Sequence, residues 1–185
     1  MSKHRILTGI KPFIYLLLLL LIAGCRQFPG HYIAFNSCLQ ENTTIGEDFL
    51  VAYAELENFL LAEGYLNEPH RPDYAALLQD LATENRSISW RSAAPQVRDF
   101  WGLQQEITFG AFPLCAQQVS AGSIADEAGS LSRLSSVYEK FYDDENATFR
   151  NPELLQSLSD AVSDEDFGFL LYRAPLLTFV VYLME

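Results

Sequence analysis

Three residue types in this chain could do chemistry, and their spacing decides which. Cysteines stand at Cys25, Cys38 and Cys115, and histidines at His4, His31 and His70. Acidic runs occur at Asp143-Asp144-Glu145-Asn146 and Asp164-Glu165-Asp166. A cysteine nucleophile needs an activating base, and neither Cys38 nor Cys115 has a histidine near it in sequence. There is no His-Glu-x-x-His, Cys-x-x-Cys or histidine cluster, so no zinc site is predicted. The acidic runs lack the alternating ligands and central glycine of a calcium loop. The second run precedes an apolar segment and reads as charge at a helix N-terminus. No Gly-x-Ser-x-Gly elbow and no phosphate-cradling glycine pattern occurs. The sequence therefore nominates no catalytic residue, metal or cofactor. His70, in Pro69-His70-Arg71-Pro72, is the histidine a hydrolase could use with carboxylates, although a surface histidine at a helix start is its ordinary role.

Cys25 has a different context. Lys3, His4, Arg5 and Lys11 precede Phe13-Ile14-Tyr15, six leucines from Leu16 to Leu21, and Ile22. The run closes on Ala23 and Gly24. A charged start, an apolar middle and small residues at the end are the plan of a secretory signal. The alternative is an N-terminal membrane helix, but the run is short of the roughly 20 apolar residues that need. Ile22-Ala23-Gly24-Cys25 resembles the lipobox of bacterial lipoproteins. That resemblance covers residues 1–25 alone. It implies a diacylglyceryl group on the Cys25 thiol, cleavage ahead of it, and a further acyl chain such as palmitate on the new amino terminus. Each buried CH₂ contributes about 0.8 kcal/mol, so two or three chains hold permanently. Arg26 follows, where lipoproteins kept at an inner membrane usually carry Asp. The resemblance thus implies the outer membrane, facing the periplasm.

Cleavage would leave 161 residues, one domain's worth, able to bury about two-thirds of the unfolded surface. Three of the 12 Lys and Arg lie before Cys25 and none of the 24 Asp and Glu does, leaving nine bases against 24 acids, a net −15. Such a surface does not neutralise phosphates, which excludes nucleic acid. It favours a basic envelope protein as partner, or serves solubility alone. Cys38 and Cys115 remain as an even pair. Outside the cytoplasm they read as one disulfide, with two buried thiols as the alternative.

The remaining pattern is helical. Residues 1–24 form the signal peptide, 25–43 a lipidated tether that becomes structured near Cys38, and 44–185 one all-α domain of about five to six helices. Thr44-Ile45-Gly46-Glu47 fits a capping box. Ile45, Phe49, Tyr53, Leu56 and Leu60 make a stripe that Gly64 closes. Pro72 and Asp73 open a second helix through Tyr74, Leu77, Leu78 and Leu81, giving an antiparallel hairpin. Pro95 starts a helix through Val97, Phe100 and Trp101, and Ile107-Thr108-Phe109 extends it or forms a short strand. Phe112 to Gly129 reads as loop-rich. Ser130 precedes the stripe Leu131, Leu134, Tyr138 and Phe141. Asn151-Pro152 is a cap and first-turn pair, and Ser163 to Asp166 precede Phe167. Pro175 breaks or restarts the last helix. Leu176 to Met184 is nearly all apolar and reads as helix, with Thr178, Val180 and Val181 compatible with a buried strand. Trp90, Trp101, Phe100, Phe109 and Phe112 fill a core or form an exposed face for a partner.

These readings predict a lipid-anchored envelope protein with a non-enzymatic binding or accessory role. Helical, acidic immunity proteins against peptidoglycan-cutting toxins look broadly similar, which makes an inhibitor one form of it. A peptidoglycan hydrolase using His70 is the alternative class.

Overall fold

A helix that is apolar on every side must be enclosed on every side, and the C-terminal segment is such a helix. The computed structural model describes residues 30–122, 129–143 and 148–185. Within them the helices are α1 (Gly30–Asn42), α2 (Phe49–Ala62), α3 (Arg71–Ala82), α4 (Trp90–Ala93), α5 (Phe100–Phe109), α6 (Ala111–Gly122), α7 (Gly129–Asp143), α8 (Pro152–Ala161), α9 (Asp164–Phe167) and α10 (Leu170–Leu183), with a 3₁₀ turn at Gly46–Asp48. No strand occurs among the described residues. Leu176 to Leu183 is therefore helix. Every residue from Leu171 to Val181 is buried. Helix α10 packs against α2, α3 and α5, and α8, α7 and α6 continue the enclosure. No helix among the described residues is long and apolar enough to cross a membrane.

Ten helices among the described residues replace the expected five or six, for local reasons. Two, α4 and α9, are single turns. The segment expected to be loop-rich holds α6, because Pro113 sits in its first turn, where no intrahelical N–H bond is lost, and Gly122 is its last residue. Helix α1 occupies most of the expected tether, and Phe35 and Leu39 are fully buried. Pro95 starts no helix; α5 begins at Phe100. Pro175 lies inside α10 without ending it. An interior proline costs about 3 kcal/mol, and burial of the surrounding leucines, each contributing roughly 1.5–3 kcal/mol, outweighs that.

The local caps are mixed. Asn151 accepts hydrogen bonds from the N–H groups of Glu153 and Leu154, and Ser163 from that of Asp166. Gly64, at φ +72°, follows α2. The expected capping box does not form: α2 starts at Phe49, and Thr44 turns its N–H and hydroxyl toward Glu106. Helices α2 and α3 meet chiefly through α10 rather than as a packed hairpin.

The 44–48 turn lies against α5 only because residue 102 is glycine. A Cβ there would stand 1.9 Å from Ile45 Cγ2. We expect Gly102→Ala to destabilise by about 1–2 kcal/mol, because the overpacking penalty exceeds alanine's gain in helix propensity of about 1 kcal/mol. Urea denaturation measures it, and a stabilised variant contradicts the packing account.

Candidate functional site

Two carboxylates among the described residues are buried, and their surroundings differ in one decisive respect. Glu57 on α2 accepts hydrogen bonds from Arg173 Nε at 2.6 Å and Nη2 at 2.9 Å, and the Tyr74 hydroxyl donates to Oε1. Arg173 Nη1 donates to the Phe167 carbonyl at 2.7 Å. Burial alone would lower the Arg173 pKa, but the bonds to Glu57 and its charge raise it. Burial and the Glu57 charge hold the Tyr74 phenol well above its usual value. Each oxygen of Glu57 is satisfied, so this is a closed structural network joining α2, α3 and α10.

Glu106 on α5 is open. It is 1 % exposed. Its Oε1 accepts from the Thr44 N–H at 2.8 Å and the Thr44 hydroxyl at 3.1 Å, while its Oε2 has no protein partner. Glu106 lines a partly open cavity with Thr178 and Phe179 of α10, Tyr138 and Phe141 of α7, and Phe149. The Tyr138 hydroxyl is also buried without a partner. Thr178 donates its proton to the Ala174 carbonyl at 2.9 Å, so the Tyr53 hydroxyl, 2.5 Å away, donates to Thr178. The void is about 20 Å³, room for one water-sized group.

The rings are layered around this void. Phe141 lies 4.4 Å from Phe149 between centroids, and Phe149 lies 3.8 Å from Tyr182. Tyr142 and Tyr182, 59 % and 47 % exposed, stand at the outer end. The chain turns between α5 and α6 at Gly110, φ +64°, and a Cβ there would come 3.2 Å from the Tyr142 hydroxyl. A single carboxylate with a spare lone pair, a phenol and aromatic faces can hold a hydrogen-bond donor or a cation.

Burial raises the Glu106 pKa above 4.5, and the two Thr44 bonds only partly offset it. Folding therefore favours the neutral form of Glu106 more than the unfolded chain does. The contribution to stability is full below the unfolded carboxyl value and is lost as pH rises through the folded value. Glu106→Gln is thus expected to leave stability unchanged near pH 4 and to raise the melting temperature near pH 7. Thermal melts of both proteins across that range check it.

The residues singled out in the sequence are scattered. Cys38 and Cys115 form a disulfide, Cα–Cα 5.6 Å. Cys25, residues 1–24 and Arg26 lie outside the described residues, as do Asp144 to Asn146. In the second acidic run, Asp164 meets Arg71 at 2.9 Å and Asp166 accepts from the Ser130 hydroxyl at 2.6 Å. Among the described residues no three His, Cys, Asp or Glu side chains are placed to share a metal ion. His31 packs beside Tyr172. His70 is exposed and contacts Glu68 at 2.8 Å, beside an open depression that Arg71, Asp164 and Phe167 also line. Trp101 is 59 % exposed and tilts against Trp90, whereas Phe100 and Phe112 are buried, so the aromatic group divides between surface and core.

Sequence reasoning missed Glu106, Tyr138, Glu57 and Arg173. Glu106 continues the three-residue spacing of Phe100 and Leu103, and Arg173 interrupts an apolar run; a charge on an apolar face was the available signal. No protein-family model matches the chain, and no curated protein or solved structure matches it.

Proposed function

We propose that this chain is an envelope lipoprotein, cut ahead of Cys25, acylated there and held at the periplasmic face of the outer membrane, where its helical domain acts as a non-enzymatic binding module. The Cys38–Cys115 disulfide carries the reading. Stable disulfides belong to oxidising compartments, and this one leaves Cys25 as the single cysteine for lipidation. The net −15 charge of the chain from Cys25 onward favours a basic envelope protein as the partner, and an inhibitor of a basic toxin is one form this takes.

Radiolabelled palmitate supplied to cells making the chain tests the anchor. Label is expected in the membrane fraction, in a product shortened by the signal, and Cys25→Ser is expected to abolish it. Unlabelled wild-type protein overturns the reading.

A second reading, a peptidoglycan hydrolase, draws on the exposed contact of His70 with Glu68 beside the open depression. Release of soluble fragments from cell-wall sacculi, lost in His70→Ala, is its expected signature.

A further inference from the structure

A buried carboxylate without a counter-ion is costly. Among the described residues no Lys, Arg or His forms an ion pair with Glu106. Its Oε2 and the Tyr138 hydroxyl both lack partners and both residues line the same void. What fills that void must donate hydrogen bonds, fit the space of one water and tolerate aromatic walls.

We propose that the Glu106 cavity is a binding site for a primary ammonium group carried on a slender alkyl stem. An –NH₃⁺ head is close to a water molecule in size, and the void of about 20 Å³ admits one such group. It brings three donors and no acceptor. Glu106 Oε2 takes one as a charge-assisted bond, and the Tyr138 oxygen takes another. The rings of Phe141, Phe149 and Phe179 line the void; an aromatic ring attracts a cation through the negative side of its quadrupole and accepts the methylenes of the stem. Guanidinium and trimethylammonium heads exceed the void, so the site selects among cations by size. The net −15 charge of the chain from Cys25 onward concentrates cations before they dock.

Two sources supply this chemistry: a lysine side chain of a partner protein and a free alkylamine. The inference gives the binding module its ligand class and rests on that reading for its role alone. The full chain in non-ionic detergent micelles is titrated at pH 8 by calorimetry with n-butylammonium chloride, with the tripeptide Ala-Lys-Ala capped at both ends, and with tetramethylammonium and guanidinium chloride. Butylammonium is expected to bind with 1:1 stoichiometry and the two bulky cations not to compete. Capped tripeptide binding as tightly as butylammonium assigns a protein lysine; butylammonium binding alone assigns a free amine. Glu106→Gln, matched in volume, is expected to weaken binding about tenfold or more, the loss of a hydrogen bond to a charged group. Tyr138→Phe is expected to weaken it several-fold, and circular dichroism confirms that both variants fold. No heat with either amine, equal affinity in Glu106→Gln, or equal competition by guanidinium overturns the proposal and leaves the void to a water. Amine binding is read in micelles and palmitate labelling in cells, so each fails without the other.

Discussion

Arg173→Ala is expected to cost about 3–5 kcal/mol of folding stability, the range for stranding one partner of a buried ion pair. Its guanidinium serves the Glu57 carboxylate through two donors and the Phe167 carbonyl through a third. Removing it leaves Glu57 buried with the Tyr74 hydroxyl still donating and a charge to desolvate. Lysine should rescue little, since it offers a point charge in place of a fork that reaches two oxygens and a carbonyl together. The paired replacement Glu57→Leu with Arg173→Met should recover most of the loss, because removing both charges removes the desolvation penalty with the attraction. Urea denaturation of the two single variants and the pair gives the coupling directly. A single-variant loss under about 1 kcal/mol, the level of a surface pair, would contradict the burial of Arg173 and Glu57. The pair leaves Glu106 untouched, so amine binding in it separates stability from ligand capture.

That network shows where sequence reading stops. Arg173 stands between Tyr172 and Ala174 in a segment otherwise apolar, which signals a buried partner. Glu57 is 116 residues away, and no local pattern connects the two. Glu106 and Thr44 are 62 residues apart, and their contact accompanies the failure of the capping box at Thr44: the Thr44 N–H that such a box would give to Glu47 goes to the distant carboxylate instead. Asn151 caps its helix as expected through the N–H groups of Glu153 and Leu154, and the Ser163 side chain caps the next while its own N–H bonds to the Ser130 hydroxyl. Proline and glycine misled in the opposite direction. Pro113 and Gly122 read as loop signals, but each lies at an end of α6, where neither residue interrupts an intrahelical bond. The all-α class was legible from spacing alone, whereas the helix count depended on one-turn helices such as α4 and α9, too short to show a period. The cavity depended on tertiary placement entirely.

Removing the Cys38–Cys115 bridge is expected to cost about 4.5 kcal/mol, the chain-entropy value for a closed loop of this size; the separation is 77 residues. The bridge ties α1 to α6, and α1 is the helix that leads back toward Cys25. Without it α1 still has Phe35 stacked against Tyr172 and Tyr32 against Phe169. The two effects of the bridge are therefore separable. If it acts by restricting the unfolded chain, the Cys38→Ala, Cys115→Ala double variant should lose hydrogen-exchange protection equally in α1 and in α10, because global unfolding governs both. If it acts by docking α1, the amides of 31–42 should lose protection first while those of α10 keep theirs. The entropy argument favours the first pattern, since the loop spans nearly half of the described domain. A urea midpoint unchanged by dithiothreitol would contradict both. A loss confined to α1 would make the bridge a brace for α1, so that reduction would loosen that helix while leaving the Glu106 cavity, built from α5, α7 and α10, in place.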